Sequence, residues 1–295
     1  MEKLSGIIPP MTTPFTENDD IDLKLLKADT RYMIEKAKVH GLAVGGSTGE
    51  GHTLTTEELR SALEVVTKEA NGRVPVIAGV IVDSTRAAIE RSKAVCDLPI
   101  AALQITPVHY LFKPSDDAMY KHFKTISEEV KVPLLIYNVV PWSYCSPKLL
   151  VKIITEVPGV IGVKQSASDV KLLADLIHDL KDRGRIFTAV DALLYPSFAL
   201  GAHGAIAAIL TAVPELCVQL WNEVQAGNHK KAVKTHNRLL TIWNALAADN
   251  LPANTKTAME FQGRKAGLPR PPMPPSSSVQ KAAIKKALKD AGVVH

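Results

Sequence analysis

With 295 residues, 46% of them hydrophobic, the chain can bury one large core, and about 250 residues is the usual size of a single α/β barrel. The charged fraction of 22% and net charge of +5 are dispersed, with no basic stripe interleaved with aromatics, which argues against nucleic acid as a partner. No apolar run reaches the roughly 18 residues that span a bilayer, and residues 1–8 hold no apolar segment ahead of a cleavage site. A cytoplasmic protein that binds neither membrane nor nucleic acid is expected.

Cys96, Cys145 and Cys217 are odd in number, far apart and without C-x-x-C spacing, so inert thiols in a reducing compartment are expected rather than disulfides or a zinc site. Lys281, Lys285, Lys286 and Lys289 lie at helical spacing among alanines, the pattern of a solvated helix face.

In chain order, short apolar runs fall at 6–9, 41–45, 76–80, 101–106, 134–138, 160–164, 186–190 and 205–209. Each has strand length and is flanked by Pro, Gly or polar residues. Segments with apolar residues at three-to-four spacing lie between them, at 55–69, 85–95, 115–130, 147–157 and 168–180, with a short helix expected at 192–201. Ser84, Ser115, Ser146 and Ser168 stand where N-caps belong. Near-continuous apolar strands alternating with helices imply a parallel sheet covered on its outer side. Eight of them imply closure into a (β/α)8 TIM barrel. Beyond the eighth strand only helices are expected, at 214–226, 229–247, 253–266 and 278–291, with the Pro-rich 268–278 as an extended connector. The reading is therefore a barrel over 1–226 and a C-terminal helical region over 227–295 packed on it.

Barrel chemistry sits at the C-terminal ends of strands. Lys164 closes the apolar run Val160-Ile161-Gly162-Val163. Held in a cavity, its amine loses solvation and becomes nucleophilic toward carbonyls; otherwise it snorkels to solvent. Tyr137 ends another run and either shuttles protons or is an ordinary buried tyrosine. Gly45-Gly46-Ser47-Thr48-Gly49-Glu50 offers consecutive backbone N–H groups to a carboxylate, or is simply a tight turn ahead of a helix. It is not a P-loop, since no lysine follows its glycines. Asp116-Asp117 reads as dipole compensation at a helix start, Asp191 as either a site carboxylate or an N-cap. His109 and His203 fall near strand ends, but no His/Asp/Glu set has metal-ligand spacing, and neither a metal nor an organic cofactor is expected.

Together with Thr13-Pro14-Phe15, Thr106-Pro107, Tyr137-Asn138-Val139 and Gly162-Val163-Lys164, the Gly45–Glu50 loop makes the chain resemble the dihydrodipicolinate synthase / N-acetylneuraminate lyase family over nearly its whole length. That resemblance implies a class I aldolase-type lyase, an aldolase or dehydratase, in which Lys164 forms an imine with pyruvate or a related 2-oxo acid. It implies Tyr137 as acid/base, Thr48 as its link to a proton relay, and Gly46, Ser47 and Thr48 as the carboxylate-binding turn. Ile206 matches a strand-8 position that meets substrate through its backbone. Tyr110, in a 108–114 segment about two residues longer than the family's usual form, is the candidate interface residue that would complete the relay from a second subunit of a dimer or tetramer, with His109 the second candidate.

One departure is notable. The family's synthases carry an arginine after Tyr-Asn that holds the second substrate's carboxylate; here the stretch is Val139-Val140-Pro141-Trp142-Ser143-Tyr144-Cys145. Trp142 is expected to line a larger, more apolar pocket, which argues against an authentic dihydrodipicolinate synthase. The alternatives are a synthase-like condensation with an altered second-substrate site and a non-catalytic binding or regulatory member of the family.

Overall fold

The computed structural model describes residues 4–294. Residues 1–3 of the expected leaderless N-terminus and His295 of the expected helical region lie outside them. Eight strands alternate with helices: β1 (Gly6–Ile7), α1 (Leu23–Glu35), β2 (Leu42–Val44), α2 (Thr56–Ala70), β3 (Val76–Val80), α3 (Thr85–Lys93), β4 (Ala102–Ile105), α4 (Asp116–Glu129), β5 (Leu134–Asn138), α5 (Pro147–Glu156), β6 (Val160–Gln165), α6 (Val170–Leu180), β7 (Arg185–Thr188), α7 (Leu194–Ala199) and β8 (Gly204–Ala205). The helices α8 (Ile209–Ala212), α9 (Pro214–Gln225), α10 (His229–Leu246), α11 (Leu251–Phe261) and α12 (Ser278–Asp290) follow, with no strand between them.

All neighbouring strands pair in parallel, in the order β1-β8-β7-β6-β5-β4-β3-β2. A parallel bridge between Pro10 and Ala43 carries β1 onto β2 and closes the ring. This is the (β/α)8 barrel that the alternation implied. Side chains alternate across each strand: Leu103 and Ile105 of β4 face the helices in the main core, whereas Ala102 joins Ile8, Ala43, Ile77, Leu135, Phe187 and Ile206 inside the barrel.

Three details differ from expectation. α1 was not anticipated, because its buried stripe mixes Asp29 and Thr30 with Leu26, Met33 and Ile34 and so lacks a clean apolar period. β8 is only two residues long, since the chain turns into α8 at Ile209. Ser84, Ser115 and Ser146 cap their helices as expected, but α6 starts later and takes Asp169, which accepts from the Lys171 N–H, instead of Ser168.

The C-terminal helices reach the end of the barrel where the strands finish. α11 packs against the 3-10 turn Ser47–Gly49 that follows β2. Its Lys256 donates to a Glu50 carboxylate oxygen at 2.7 Å, with both side chains buried. The second Glu50 oxygen accepts from the Arg270 N–H at 2.8 Å. Arg264 bonds Asp29 at 2.7 Å in a second buried pair between the barrel and its C-terminal helices.

Candidate active site

The strand register places Tyr137 of β5 directly beside Lys164 of β6. Both are buried, Lys164 at 4% exposure, and the lysine Nζ lies 4.1 Å from the centroid of the tyrosine ring. The Tyr137 hydroxyl accepts from the Ser47 N–H at 3.0 Å and lies 2.9 Å from Ser47 Oγ. Three strand ends, those of β2, β5 and β6, thus converge on one phenol.

The turn that delivers Ser47 depends on glycine. Gly45 has φ +75°, and a Cβ on Gly51 would sit 1.9 Å from the Gly45 carbonyl oxygen. Only glycine tolerates both demands. The N–H groups of Gly49 and Gly51 both donate to the Gly46 carbonyl at 3.0 Å, and the two bonds to Glu50 described above clamp the far end.

The hydroxyl bonded to Tyr137 is therefore that of Ser47, not the expected Thr48. Ser47 is the first residue of the 3-10 turn and stays exposed while bonding the phenol; Thr48, the next, is buried in the turn. Gly46 borders the site closely: a Cβ there would stand 3.3 Å from the Tyr137 hydroxyl.

Burial pushes the Tyr137 phenol up, but the Lys164 charge and the Ser47 hydrogen bonds outweigh it, and its pKa lies below the ordinary tyrosine value. A phenol so placed is suited to exchanging a proton with the amine beside it. Asp191, beyond β7, is also buried and accepts from the Ile209 N–H at 2.7 Å. Burial raises its carboxyl to about 6, against the lowering effect of that bond and of Lys164.

Of the remaining expected residues, Ile206 is fully buried inside the barrel and its N–H is bonded to the Thr188 carbonyl. Tyr110 and Trp142 are not gathered around Lys164. Tyr110 is 72% exposed and Trp142 67% exposed. Both belong to one strapped pair of loops: Asp83 accepts from the N–H groups of His109 and Tyr110, and the Trp142 indole donates to the His109 carbonyl at 2.8 Å. Asn138 faces away from proton chemistry; its amide bonds Cys145 and Gln165 and fixes the 138–145 loop.

Three further polar side chains belong to this region: Gln104 escaped the sequence reading, while Thr106 and Ser166 stood in its motifs without a role. Gln104 and Thr106 share the inward face of the β4 segment, and Ser166 follows Lys164 by two residues, on the same face. All three carry buried polar atoms with no hydrogen-bond partner in the protein. A buried polar residue inside an otherwise apolar strand was the available signal. Among the described residues no group of three or more His, Cys, Asp or Glu side chains is placed to hold a metal ion.

The sequence matches the Dihydrodipicolinate synthetase family over residues 3–291. The chain belongs to that family. It is 32% identical over 295 residues to 4-hydroxy-tetrahydrodipicolinate synthase of Methanopyrus kandleri, covering 99% of this chain and 98% of that protein. Among solved structures it superimposes on YagE of E. coli K12, a prophage protein of the dihydrodipicolinic acid synthase family solved with pyruvate, with a TM-score of 0.93 at 26% identity, covering 98% and 99% of the two chains. CdNal of Clostridium difficile, solved with mannosamine, matches with a TM-score of 0.90 at 26% identity over 98% and 99% of the chains. The named synthase is an enzyme, and no helix among the described residues is long and apolar enough to cross a membrane.

Proposed function

We propose that the protein is a Schiff-base lyase, an aldolase or dehydratase acting on pyruvate or a related 2-oxo acid through Lys164. The carrying observation is the buried Lys164 amine 4.1 Å from the Tyr137 ring, with Ser47 on the phenol. In this reading the free amine of Lys164 attacks the keto carbon. Tyr137 passes the proton released from nitrogen to the oxygen, giving the carbinolamine, and a second proton, the one the Lys164 ammonium gave up to become the free amine, returns through Tyr137 so that the hydroxyl leaves as water. The resulting iminium is an electron sink, so a C–C bond at C3 breaks or forms, or a leaving group departs. Ser47 passes protons to and from Tyr137, and the N–H groups of the Gly46–Thr48 turn face the carboxylate. Ile206 serves as part of the barrel wall below the substrate.

The second substrate is expected to be an aldehyde with a hydroxylated or apolar tail. The 139–145 loop has no arginine, the Thr106 and Ser166 hydroxyls are buried without a partner in the protein, and Asp191 is near enough to Lys164 to feel its charge. A carboxylate tail would face the Asp191 charge. Trp142, exposed on the 139–145 loop, is assigned to the outer rim of the pocket. A second reading, condensation with a carboxylate-bearing aldehyde as the relatives' names describe, draws on Lys113, whose ammonium reaches the Tyr144 carbonyl at 2.7 Å on that loop.

Tyr110, Leu111 and Phe112 form an exposed apolar knuckle, and a patch of this kind fits a second copy of the chain. In a dimer or tetramer Tyr110 would extend the partner's Ser47–Tyr137 relay. In this reading the chain is a barrel over 1–226 with a helical region over 227–295 packed on it, and the expected setting is the cytoplasm. The test is borohydride reduction with pyruvate, which traps an imine on Lys164 if the reading holds and yields no adduct with any 2-oxo acid if it does not. Turnover of hydroxylated aldehydes ahead of aspartate semialdehyde supports the first choice of partner; the reverse order supports the second.

A further inference from the structure

Gln104 is the least expected residue in the barrel. It lies on β4, paired with Gly79 and Leu135 of the flanking strands, and points inward two residues after Ala102. It is completely buried, yet neither its amide nitrogen nor its amide oxygen has a partner within the protein. A leucine would fill such a place without cost. Burying an amide with both ends unpaired costs about 1–3 kcal/mol for each group left unsatisfied, so the residue is poorly explained as packing.

Its position says what it faces. A Cβ on Gly46 would lie 3.1 Å from Gln104 Nε2 and 3.3 Å from the Tyr137 hydroxyl. The amide and the phenol therefore flank the α-carbon that begins the Ser47–Gly49 turn. The amide sits against that turn, near the phenol and out of contact with bulk solvent. Buried charge is tolerated where donors surround it, and the one charge that a 2-oxo acid brings lies one bond from the carbon that Lys164 would attack.

We infer that Gln104 is a substrate-recognition residue whose amide N–H donates to the carboxylate of the 2-oxo acid from below, opposite the N–H groups of the turn. The inference rests on the Schiff-base reading of Lys164. It makes the carboxylate pocket a two-sided clamp, with backbone donors from the loop after β2 and a side-chain donor from β4. It also gives Gly46 a specific reason to be glycine, because a methyl there would press on the amide and the phenol together.

The test compares borohydride trapping of pyruvate with that of hydroxyacetone, a ketone without a carboxylate. Loss of one hydrogen bond to a charged group raises the half-saturating pyruvate concentration about tenfold or more in Gln104→Leu, while hydroxyacetone shifts by less than about twofold on the same grounds. Gln104→Glu keeps the shape and adds a repelling charge. It should weaken pyruvate further, and lowering the pH should restore part of the loss as the new carboxyl takes up a proton. Equal losses for both ketones, or unchanged pyruvate saturation in both variants, overturn the inference while leaving the lysine chemistry intact. A wild-type chain that forms no adduct overturns the Schiff-base reading and this inference with it. Matching circular dichroism and melting curves show that the variants are folded, and if Gln104→Leu does not fold, Gln104→Glu and its pH response decide the question alone.

Discussion

The Lys164 ammonium rests over the face of the Tyr137 ring, 4.1 Å from its centroid. Burial and charge oppose each other at this tyrosine: burial favours the neutral phenol, while the ammonium and Ser47 favour the phenolate. Replacing Lys164 with methionine removes the cation and leaves burial less opposed. The Tyr137 pKa should then move up, past the ordinary tyrosine value. Ultraviolet difference titration, with Tyr137→Phe subtracted to isolate this phenol, measures it. A midpoint that stays put or falls would show that Lys164 does not set the tyrosine's acidity.

Tyr137→Phe keeps the ring under Lys164 and deletes only the hydroxyl. If the phenol moves protons during imine formation, the trapping rate falls by about 10²-fold or more. Ser47→Ala removes one hydroxyl from the phenol and should cost about tenfold, the scale of a single hydrogen bond. Thr48→Ala, whose hydroxyl is not the one bonded to Tyr137, should cost less than Ser47→Ala. Stopped-flow or quench measurements of imine formation rank the three, and the reverse order would return the relay to Thr48.

The Lys256–Glu50 pair joins α11 to the end of the Ser47–Gly49 turn. Lys256→Met leaves a buried carboxylate with a single backbone donor and should destabilise the fold by about 3–5 kcal/mol. Adding Glu50→Gln should recover part of that loss by removing the stranded charge. Denaturant melts of the two single variants and the double variant supply the cycle, and additive losses would contradict the coupling.

Asp191 carries a pH signature. Its carboxyl titrates near 6 in the folded protein against a reference of 3.8, so the folded state holds the proton more tightly. Stability contributed by that proton is present below about pH 4 and is lost as pH rises toward 6, by roughly 3 kcal/mol for a two-unit shift. Asp191→Asn keeps an oxygen for the Ile209 N–H and avoids the buried charge. Its melting temperature should exceed that of the wild type at pH 8 and match it near pH 4. A variant less stable at pH 8 would mean that the charge is needed for folding.

The fold was legible because its strands are apolar on both faces and its helices on one, and these periods survive in the sequence. α1 did not stand out because Asp29, partner of Arg264 some 235 residues away, occupies its buried face. The site was legible in part for a related reason. Lys164 and Tyr137 end apolar runs, so their positions follow from strand counting. Which of two adjacent hydroxyls reaches the phenol depends on how a 3-10 turn rotates its first two residues, and Ser47 and Thr48 differ by that rotation. Tyr110 and Trp142 depend on loops strapped together by Asp83 and a backbone carbonyl. Gln104 was overlooked because a single polar residue in a strand does not announce which face it takes until the barrel closes.

Sodium borohydride added with pyruvate, followed by peptide mass analysis of wild type and Lys164→Ala, tests the central claim most directly. A stable pyruvate-derived mass on the peptide containing Lys164, absent from the variant, is the expected result. A wild-type chain that stays unmodified with every 2-oxo acid offered, or an adduct on another lysine that persists in Lys164→Ala, would contradict imine chemistry at this residue.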